Sequence, residues 1–514
     1  MASDQRRGRG TRRRTRDAGD GQIAQLPWRR VTNPWPPMEI LDAEGLEAIH
    51  DASMRILGEM GIELMHAGAC ERLARAGADW DRETMTVRLD RAMVAEWVAK
   101  APARVTLTPR NPERRVHLGG RDLVTTLVAG PPAVHDRVRG RRTANMEDYS
   151  NFIRLTQHFN AVHMIGNQVA APVEMPANTR HLDCYLANLT LSDRSYHCTS
   201  IGRGRALDGI AMMALARGIS LDDMVGDPGV TTIISVNSPR RFDEAMAEGL
   251  MTLAECGQPI SVTPFTLMGA MTPVTLAAAL AQQNAEALFG AVLAQVVRPG
   301  TPVLYGSFLS NVDMRSGAPA FGTPEHSKAA VASGQLARRY GLPYRCSPGT
   351  ASVTADEQAV WESLMSMWGC VLGGANLMYH AAGWLEGGLC ASYEKFVMDV
   401  ELLQHLFEFL RPIEVSEATL GLDAIARVPT GGHFFGDPHT IERYQTAFYQ
   451  PMLSDWRNWQ VWVEDGERSA RERASALWQR ALAEYEAPAM DAGTSEALAD
   501  YVARRKREIG DGEP

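Results

Sequence analysis

Eight short apolar runs rich in β-forming residues recur through the middle of this chain, and a longer stretch with helical periodicity follows each of them. The runs cover residues 123–129, 162–167, 195–201, 230–236, 259–265, 302–307, 343–347 and 376–380. Eight strand–helix units in about 290 residues predict an α/β fold of the (β/α)8 barrel type. A doubly wound sheet is the alternative, because strand order cannot be read from sequence.

The helical stretches cover residues 145–159, 177–191, 205–217, 239–256, 272–297, 324–340, 355–372 and 391–410. Asn145 is suited to the N-cap of the first of them. Pro239 and Pro324 lie where the first turn of a helix tolerates proline. Asp356 and Glu357 begin the seventh helix, where capping is the simplest role for them.

The flanking residues divide the chain into four predicted parts: a disordered basic leader (residues 1–37), an N-terminal α/β cap (38–120), the barrel (121–410) and a helical extension (411–514). The net charge is −9, but the first 30 residues hold nine Arg and three Asp. The leader therefore carries +6 and the rest of the chain −15, which does not favour a general nucleic-acid surface. No apolar run of 18 residues occurs, so we expect no membrane span.

The cysteines exclude a disulfide framework. There are seven of them, widely spaced, and no Cys-x-x-Cys pair is present. His181 with Cys184, and His197 with Cys198, are the close His/Cys pairs. We interpret both as buried free thiols beside hydrogen-bonded histidines, with no metal site, in a reduced cytoplasmic compartment.

A barrel enzyme carries its site on the loops after its strands. The sixth such loop, FLSNVDMRSG, contains Asn311, Asp313 and Arg315. An arginine there can hold a carboxylate through two parallel hydrogen bonds. The alternative is an Asp–Arg pair that only orders the loop.

The eighth loop, HAAGWLEGG, contains His380, Trp384 and Glu386 among small residues. Trp384 could form an aromatic box for a cation with other rings near the strand ends: Phe265, Phe308, Tyr305 or Phe321. Any one of these rings is more often part of a core. Residues alone therefore predict a barrel enzyme with a polar, aromatic-edged pocket.

Several long segments of unusual composition carry a resemblance that spans residues 27–505. They include LPWRRVTNPWPPMEIL, TRHLDCYLANLTLSDRSYHCTSIGR, PGTPVLYGSFLSNVDMRSGAPAFGTPE, WGCVLGGANLMYHAAGWLEGGL and GGHFFGDPHTIERYQTAFYQPMLSDWRNW. In these segments the chain resembles the trimethylamine methyltransferase family. The resemblance implies a (β/α)8 barrel and methyl transfer from a methylated amine to the cobalt of a separate corrinoid protein.

Methanogen members of that family that act on trimethylamine carry a pyrrolysine in the barrel, whereas the comparable stretch of this chain, residues 349–358, contains only standard residues. The resemblance therefore implies a quaternary amine such as glycine betaine. A trimethylamine-type tertiary amine is one alternative, and a cobalamin-independent barrel lyase or hydrolase that uses His380 with a carboxylate is another.

The resemblance also suggests roles for the loop residues. Arg315 would hold a substrate carboxylate, beside Asp313 and Asn311. Trp384, Phe265 and Phe308 would line the ammonium, and His380 and Glu386 would be the catalytic polar groups.

Asn167 and Asn237, which follow the second and fourth strands, would face the corrinoid at the barrel mouth. No Asp-x-His-x-x-Gly motif occurs, so we expect no permanently bound cofactor and a corrinoid (cobalamin) presented by a partner protein. We also expect a homo-oligomer, with neither a membrane nor a nucleic acid as partner.

Overall fold

The N-terminal region folds into short strands and helices. The computed structural model describes residues 23–510. The first elements are β1 (Val31–Thr32), α1 (Ala43–Arg55), β2 (Ile62–Leu64), α2 (Ala67–Arg75), β3 (Asp79–Asp81), β4 (Thr86–Arg88), α3 (Arg91–Val98), β5 (Arg104–Leu107) and β6 (Val116–Gly119). Asp42 begins α1 by accepting the Gly45 N–H at 2.7 Å, as an N-cap does.

Strands and helices then alternate. The elements are β7 (Asp122–Leu127), β8 (Ala133–Asp136), β9 (Gly140–Thr143), α4 (Met146–His158), α5 (Arg180–Leu191), β10 (Tyr196–His197), α6 (Arg203–Arg217), α7 (Asp223–Gly226), β11 (Val230–Val236), β12 (Arg241–Phe242), α8 (Glu244–Glu255), β13 (Ile260–Met268), α9 (Leu276–Val297), β14 (Val303–Gly306), β15 (Phe308–Val312), β16 (Pro319–Ala320), α10 (Pro324–Arg339), β17 (Tyr344–Cys346), α11 (Glu357–Gly373), β18 (Leu377–Ala382), β19 (Trp384–Leu385), β20 (Cys390–Ser392) and α12 (Tyr393–Phe409). The chain ends in helices α13 (Glu417–Leu420), α14 (Leu422–Arg427), α15 (Pro438–Arg443), α16 (Trp459–Glu464), α17 (Ala470–Ala483) and α18 (Ala492–Ile509).

Seven strands lie side by side in a parallel sheet, in the order β10, β11, β13, β14, β17, β18, β7. The first and last of these strands along the chain, β7 and β18, are neighbours, so the sheet curls. Met164 forms an isolated parallel bridge with Thr126, and Ile165 forms one with Tyr196. The fold is α/β with a curled parallel sheet, and the second predicted strand is reduced to these bridging residues.

Local signals placed most element ends correctly. The Asn145 side chain accepts the Asp148 N–H at 2.9 Å, so the predicted N-cap of α4 is confirmed. Asp356 caps α11, and Pro324 begins α10. The prediction for Pro239 is wrong: it lies in a loop after a cis peptide bond, and α8 begins only at Glu244.

The β5–β6 hairpin covers the amino ends of the sheet strands. Its Leu118 packs in one cluster with Val124 of β7, Leu304 of β14 and Leu377 of β18. Side chains alternate along a strand, so the next residues to face inward lie two positions further on, towards the carboxyl ends. Those residues are Thr126, Gly306 and Tyr379. The amino edge of the sheet is thus closed by apolar side chains, and a more polar layer lies above them.

The predicted disordered leader is too long. Val31 pairs with Leu123 at the edge of the sheet, and Arg30 forms an ion pair with the buried Asp122. Contacts to residues that lie 92 to 378 positions away in the sequence therefore hold the segment 23–37 against the rest of the fold. The Arg-rich part of the leader, residues 1–22, lies outside the described residues.

The C-terminal helices α17 and α18 pack on the outer helices. Arg505 donates to the buried Asp208 of α6 at 2.7 Å, and Tyr501 donates to the same carboxylate at 2.8 Å. Trp478 of α17 stacks on Tyr393 of α12, with ring centroids 4.6 Å apart. Among residues 23–510, no helix is both long and apolar enough to cross a membrane.

Candidate active site at the carboxyl edge of the sheet

Five rings meet where the parallel strands end. Phe308 lies 5.2 Å from Phe265, 5.0 Å from Phe321, 5.7 Å from Trp384 and 5.5 Å from His380, measured between ring centroids. We call these five residues the aromatic cluster. Phe265 and Phe308 are direct partners in the register of β13 and β15, which explains how two distant segments place their rings together. Phe308, Phe321 and Trp384 are almost fully buried, whereas Phe265 and His380 keep some solvent-accessible surface.

His380 owes its position to an unusual backbone. Its φ is 62°, in the left-handed region that non-glycine residues rarely adopt, and the register of β18 against β7 shifts at this point. Its Nδ1 lies 3.0 Å from the Ser347 Oγ, and its ring centroid lies 4.4 Å from that of Trp384. Burial, reinforced by the positive charge of Arg345, holds the pKa of His380 well below the ordinary value. The ring is therefore neutral near pH 7.

The seventh and eighth loops support one another. The Glu362 carboxylate accepts hydrogen bonds from the Thr350 hydroxyl and from the Ala351 N–H, the latter at 2.9 Å. Thr350 in turn accepts the Trp384 indole N–H at 3.1 Å and the Gly387 N–H at 3.1 Å through its carbonyl. The Trp384 ring is thus fixed by a hydrogen bond as well as by packing.

His326 joins the sixth loop to the seventh. Its Nδ1 accepts the Gly322 N–H at 3.2 Å, and its Nε2 lies 3.1 Å from the Ser347 carbonyl, to which it must donate. Burial lowers the pKa of His326 to about 4, so it serves as a neutral connector.

A buried ion pair lies behind the eighth loop. Lys395 pairs with Asp399 one helical turn away, and the Lys395 ammonium also donates to the Ser363 hydroxyl at 2.8 Å. The second oxygen of Asp399 accepts the Gly383 N–H at 2.9 Å, immediately before Trp384. Burial lowers the pKa of Lys395 and raises that of Asp399.

The sixth loop does not bring its polar residues to the aromatic cluster. Arg315 is exposed at the turn between β15 and β16, and no contact of its side chain with the cluster is present. Asp313 is also exposed, and it accepts from the Ser316 hydroxyl at 2.6 Å and from the Arg315 N–H at 3.2 Å. Asn311 accepts from the Thr323 hydroxyl at 3.1 Å. The structure therefore does not bring Arg315 to the aromatic cluster, whereas the Asp313 and Asn311 side chains bond within the loop and to Thr323 at the start of α10.

The other predicted residues lie at the rim or away from it. Glu386 accepts from Arg141 Nε at 2.8 Å, so its charge is paired. Asn167 donates its backbone N–H to the Tyr379 hydroxyl at 2.9 Å. Asn237 is exposed in the turn before β12. Tyr305, one of the aromatic candidates, instead donates to Asn284 of α9 at 3.0 Å.

Sequence reasoning missed a polar layer directly beneath the cluster. The Arg345 guanidinium carbon lies 5.8 Å from the Phe308 ring centroid and 4.8 Å from that of Tyr379. The His197 ring meets the same Tyr379 ring edge to face at 4.5 Å. The available signal was a charged residue in the middle of an apolar strand, PYRCS.

Both histidines of the His/Cys pairs are hydrogen-bonded through one ring nitrogen, as the sequence predicts. His181 Nε2 lies 3.0 Å from the Asp208 carboxylate, and His197 Nδ1 lies 3.4 Å from the Ile165 carbonyl, to which it must donate. The other ring nitrogen of each, His181 Nδ1 and His197 Nε2, is buried without a hydrogen-bond partner in the described part of the chain. All seven cysteines are unpaired, and all but the partly buried Cys256 are buried. Within residues 23–510, no group of three or more His, Cys, Asp or Glu side chains is arranged to hold a metal ion.

One family profile and three known proteins match most of this chain. A family profile described as "Trimethylamine methyltransferase (MTTB)" matches residues 5–510. The glycine betaine methyltransferase of Desulfitobacterium hafniense strain Y51 is 36% identical over 93% of this chain and 99% of its own length. The trimethylamine methyltransferase MttB of D. hafniense strain DSM 10664 / DCB-2 is 27% identical, over 84% and 86% of the two chains. The proline betaine:corrinoid methyltransferase of Eubacterium limosum is 26% identical, over 89% and 96%.

Proposed function

Because this chain belongs to the trimethylamine methyltransferase (MTTB) family, we propose that its substrate is a quaternary amine such as glycine betaine. The chain is a methyltransferase, and the methyl group passes from the amine to the Co(I) of a separate corrinoid protein. The corrinoid is thus the acceptor substrate, presented by a partner rather than held permanently by this chain.

The aromatic cluster is the observation that carries this choice of substrate. A quaternary ammonium has no N–H to donate, so hydrogen-bond acceptors cannot recognise it. Aromatic faces attract such a cation through their ring quadrupoles and exclude water at the same time. Three phenyl rings, an indole and a neutral imidazole supply that environment where the sheet strands end.

The protonation state of the cluster suits a quaternary amine. In the transfer the N–CH3 bond breaks, its electron pair stays on nitrogen, and the cobalt supplies the pair for the new bond to carbon. The leaving group is then a neutral tertiary amine, which needs no proton. A neutral His380, which has no extra proton to give, is compatible with that step, because the protein has only to position and desolvate the substrate.

The alternatives have weaker support. A tertiary amine would need prior protonation or a covalent activator, and His380 is held in its unprotonated form. A lyase or hydrolase built on His380 would need a carboxylate to orient the imidazole. Among the hydrogen bonds of residues 23–510, His380 Nδ1 meets the Ser347 hydroxyl, and Glu386 is engaged by Arg141.

We also propose that the sheet closes into a (β/α)8 barrel made by residues 121–410. The bridges of Met164 to Thr126 and of Ile165 to Tyr196 support closure, because they place residues 162–167 between β7 and β10. Residues 38–120 would then be the cap and residues 411–514 the extension. The corrinoid would approach the mouth, where Asn167 and Asn237 follow their strands.

A homo-oligomer is a further proposal, with a second copy of the chain as the partner. It is supported by large apolar side chains that stay exposed between α12 and α17, including Ile413 at 89%, Phe435 at 83%, Phe448 at 72% and Trp459 at 70% exposure. Light scattering during gel filtration gives the mass that tests it, and a monomer would contradict it.

The function is tested by mixing the protein with Co(I) cobalamin and glycine betaine. We expect methylcobalamin and dimethylglycine to form in equal amounts. The absorbance spectrum of methylcobalamin measures the first of these products. Trimethylamine serves as the tertiary-amine comparison, and omission of the cobalamin separates methyl transfer from a lyase or hydrolase. No methylcobalamin from any of a panel of quaternary amines would overturn the proposal.

A further inference from the structure

Two arginines are buried in the sheet region, and their surroundings differ. The Arg194 guanidinium donates to three backbone carbonyls: Gln157 at 3.0 Å, Phe159 at 3.1 Å and Val162. Arg345 is equally buried, with 1% of its surface exposed, yet its guanidinium makes a single hydrogen bond, from Nη1 to the Ser307 carbonyl at 3.3 Å. Both terminal nitrogens of Arg194 are therefore bonded and only its Nε lacks a partner among the described residues, whereas Arg345 makes no hydrogen bond to them at Nε or at Nη2.

No carboxylate neutralises Arg345. None of the ion pairs among residues 23–510 includes it, and its Nε is buried without a hydrogen-bond partner. Burial lowers the pKa of Arg345 to about 10, so the side chain is still charged at pH 7. A buried, unpaired charge is costly to a fold and persists where it serves a ligand.

A second donor adjoins this charge. The Tyr379 hydroxyl accepts the Asn167 N–H at 2.9 Å, and no described residue accepts the hydrogen of that hydroxyl. The pKa of Tyr379 is raised to about 12 by burial, so this hydrogen is present at neutral pH. Gly306, the register partner of Arg345 on the neighbouring strand, has no side chain that could accept from it, and the space beside Gly306 is occupied by Thr263 of β13.

We propose that Arg345, with Tyr379, binds the carboxylate of the substrate directly beneath the aromatic cluster. This inference rests on the proposed function and narrows its substrate class to quaternary amines that carry a carboxylate on a short spacer. Arg345 lies 5.8 Å from the Phe308 ring, so one small zwitterion can reach both. The role first assigned to Arg315 thus moves to a strand residue in the interior.

The arrangement also orients the reacting group. Arg345 lies on the strand side of the cluster, and the strands end at the open edge. A carboxylate held at Arg345 places the ammonium among the rings, with its methyl groups towards the edge from which a corrinoid can approach. Recognition at the deep end therefore presents the methyl group for in-line attack.

The test compares two ligands that share a trimethylammonium group: glycine betaine, and choline, which has a hydroxyl in place of the carboxylate. Binding is measured by calorimetry on the full chain without corrinoid. We expect the wild type to bind glycine betaine about 10- to 100-fold more tightly than choline, since hydrogen bonds between charged groups are worth that much. Arg345→Met should abolish the preference by weakening glycine betaine alone, and Arg345→Lys should restore part of it.

Arg194→Met is the matched control, because it removes an equally buried arginine from the amino edge. It should lower the melting temperature and leave the preference intact. Arg345→Met should not lower the melting temperature, since it removes an unpaired buried charge. A purely structural Arg345 would give the opposite result.

The outcomes separate the two proposals. If Arg345→Met binds glycine betaine as the wild type does, or loses both ligands equally, the role of Arg345 is refuted. Should that variant not fold, equal affinity of the wild type for the two ligands refutes it. If quaternary amines are turned over with no preference for a carboxylate, the inference fails and the proposed function stands. Absence of turnover with every quaternary amine refutes the proposed function itself.

Discussion

Phe308→Leu tests whether the aromatic cluster recognises a cation rather than a shape. Phe308 touches every other ring of the cluster, with centroid distances of 5.0–5.7 Å. Leucine keeps an apolar side chain at this position but has no ring quadrupole. A cation–π contact in a desolvated site is worth about 0.5–2 kcal/mol, so the dissociation constant of a quaternary ammonium should rise by about 2- to 30-fold.

The assay compares two carboxylates of the same shape. Glycine betaine carries a trimethylammonium, and 3,3-dimethylbutanoate carries the isosteric but uncharged tert-butyl group. The wild type should bind glycine betaine more tightly than this isostere, which lacks the cation. In Phe308→Leu, measured by calorimetry, glycine betaine should lose affinity while the affinity for 3,3-dimethylbutanoate changes little, so that the two affinities converge.

Phe152→Leu is the matched control. Phe152 is fully buried and stacks on Tyr393 at 4.6 Å, away from the cluster, so its loss should cost stability without altering ligand preference. Each substitution should lower the free energy of unfolding by about 1–2 kcal/mol through lost packing. If Phe308→Leu weakens both ligands by the same factor, the cluster selects for shape alone and the cation argument is wrong.

Two further predictions concern stability. Lys395→Met should lower the free energy of unfolding by about 3–5 kcal/mol, because it leaves Asp399 buried without its cation. The double variant Lys395→Met/Asp399→Leu should recover much of that loss, since neither charge then remains. Urea titration measures the stability of both variants, and a single variant as stable as the double variant would contradict the prediction. Burial lowers the pKa of His163 and His197 to about 3 and of His326 to about 4. Because these folded-state values lie below the ordinary value near 6.5, stability is complete above about pH 6.5 and falls on acidification, by up to about 1.4 kcal/mol per pH unit for each histidine. Urea midpoints at pH 7.5, 6.0 and 5.0 measure this, and midpoints independent of pH would count against buried neutral histidines.

Local chemistry decided where the elements begin. Asn145 and Asp356 cap helices because their short side chains reach the free N–H groups of the first turn, and Pro324 begins a helix because it needs no donor there. These choices involve residues only three or four positions apart, and the sequence displays all of them. Pro239 failed as a helix signal because the same residue type also suits a loop.

The candidate site was only partly predictable, because it depends on contacts between residues that are far apart in the sequence. Trp384, Phe265 and Phe308 could be named because they follow strands, and residues that follow parallel strands meet at one edge. Their meeting still required the register of β13 with β15 and a left-handed residue at His380. Neither the strand register nor the left-handed backbone of His380 can be predicted from periodicity in the sequence.

The contrast between Arg315 and Arg345 separates the two kinds of information. By itself the sequence determined the alternation of strands and helices, the N-caps of α4 and α11, the family and the aromatic character of the strand ends, because each depends on residues that are neighbours in the sequence. Only the tertiary structure decided that Arg315 is exposed on a hairpin while Arg345 is buried without a counter-ion beneath Phe308. The direction in which a strand side chain points, and what surrounds it, depends on which strands lie beside it. Those neighbours come from positions tens to hundreds of residues away.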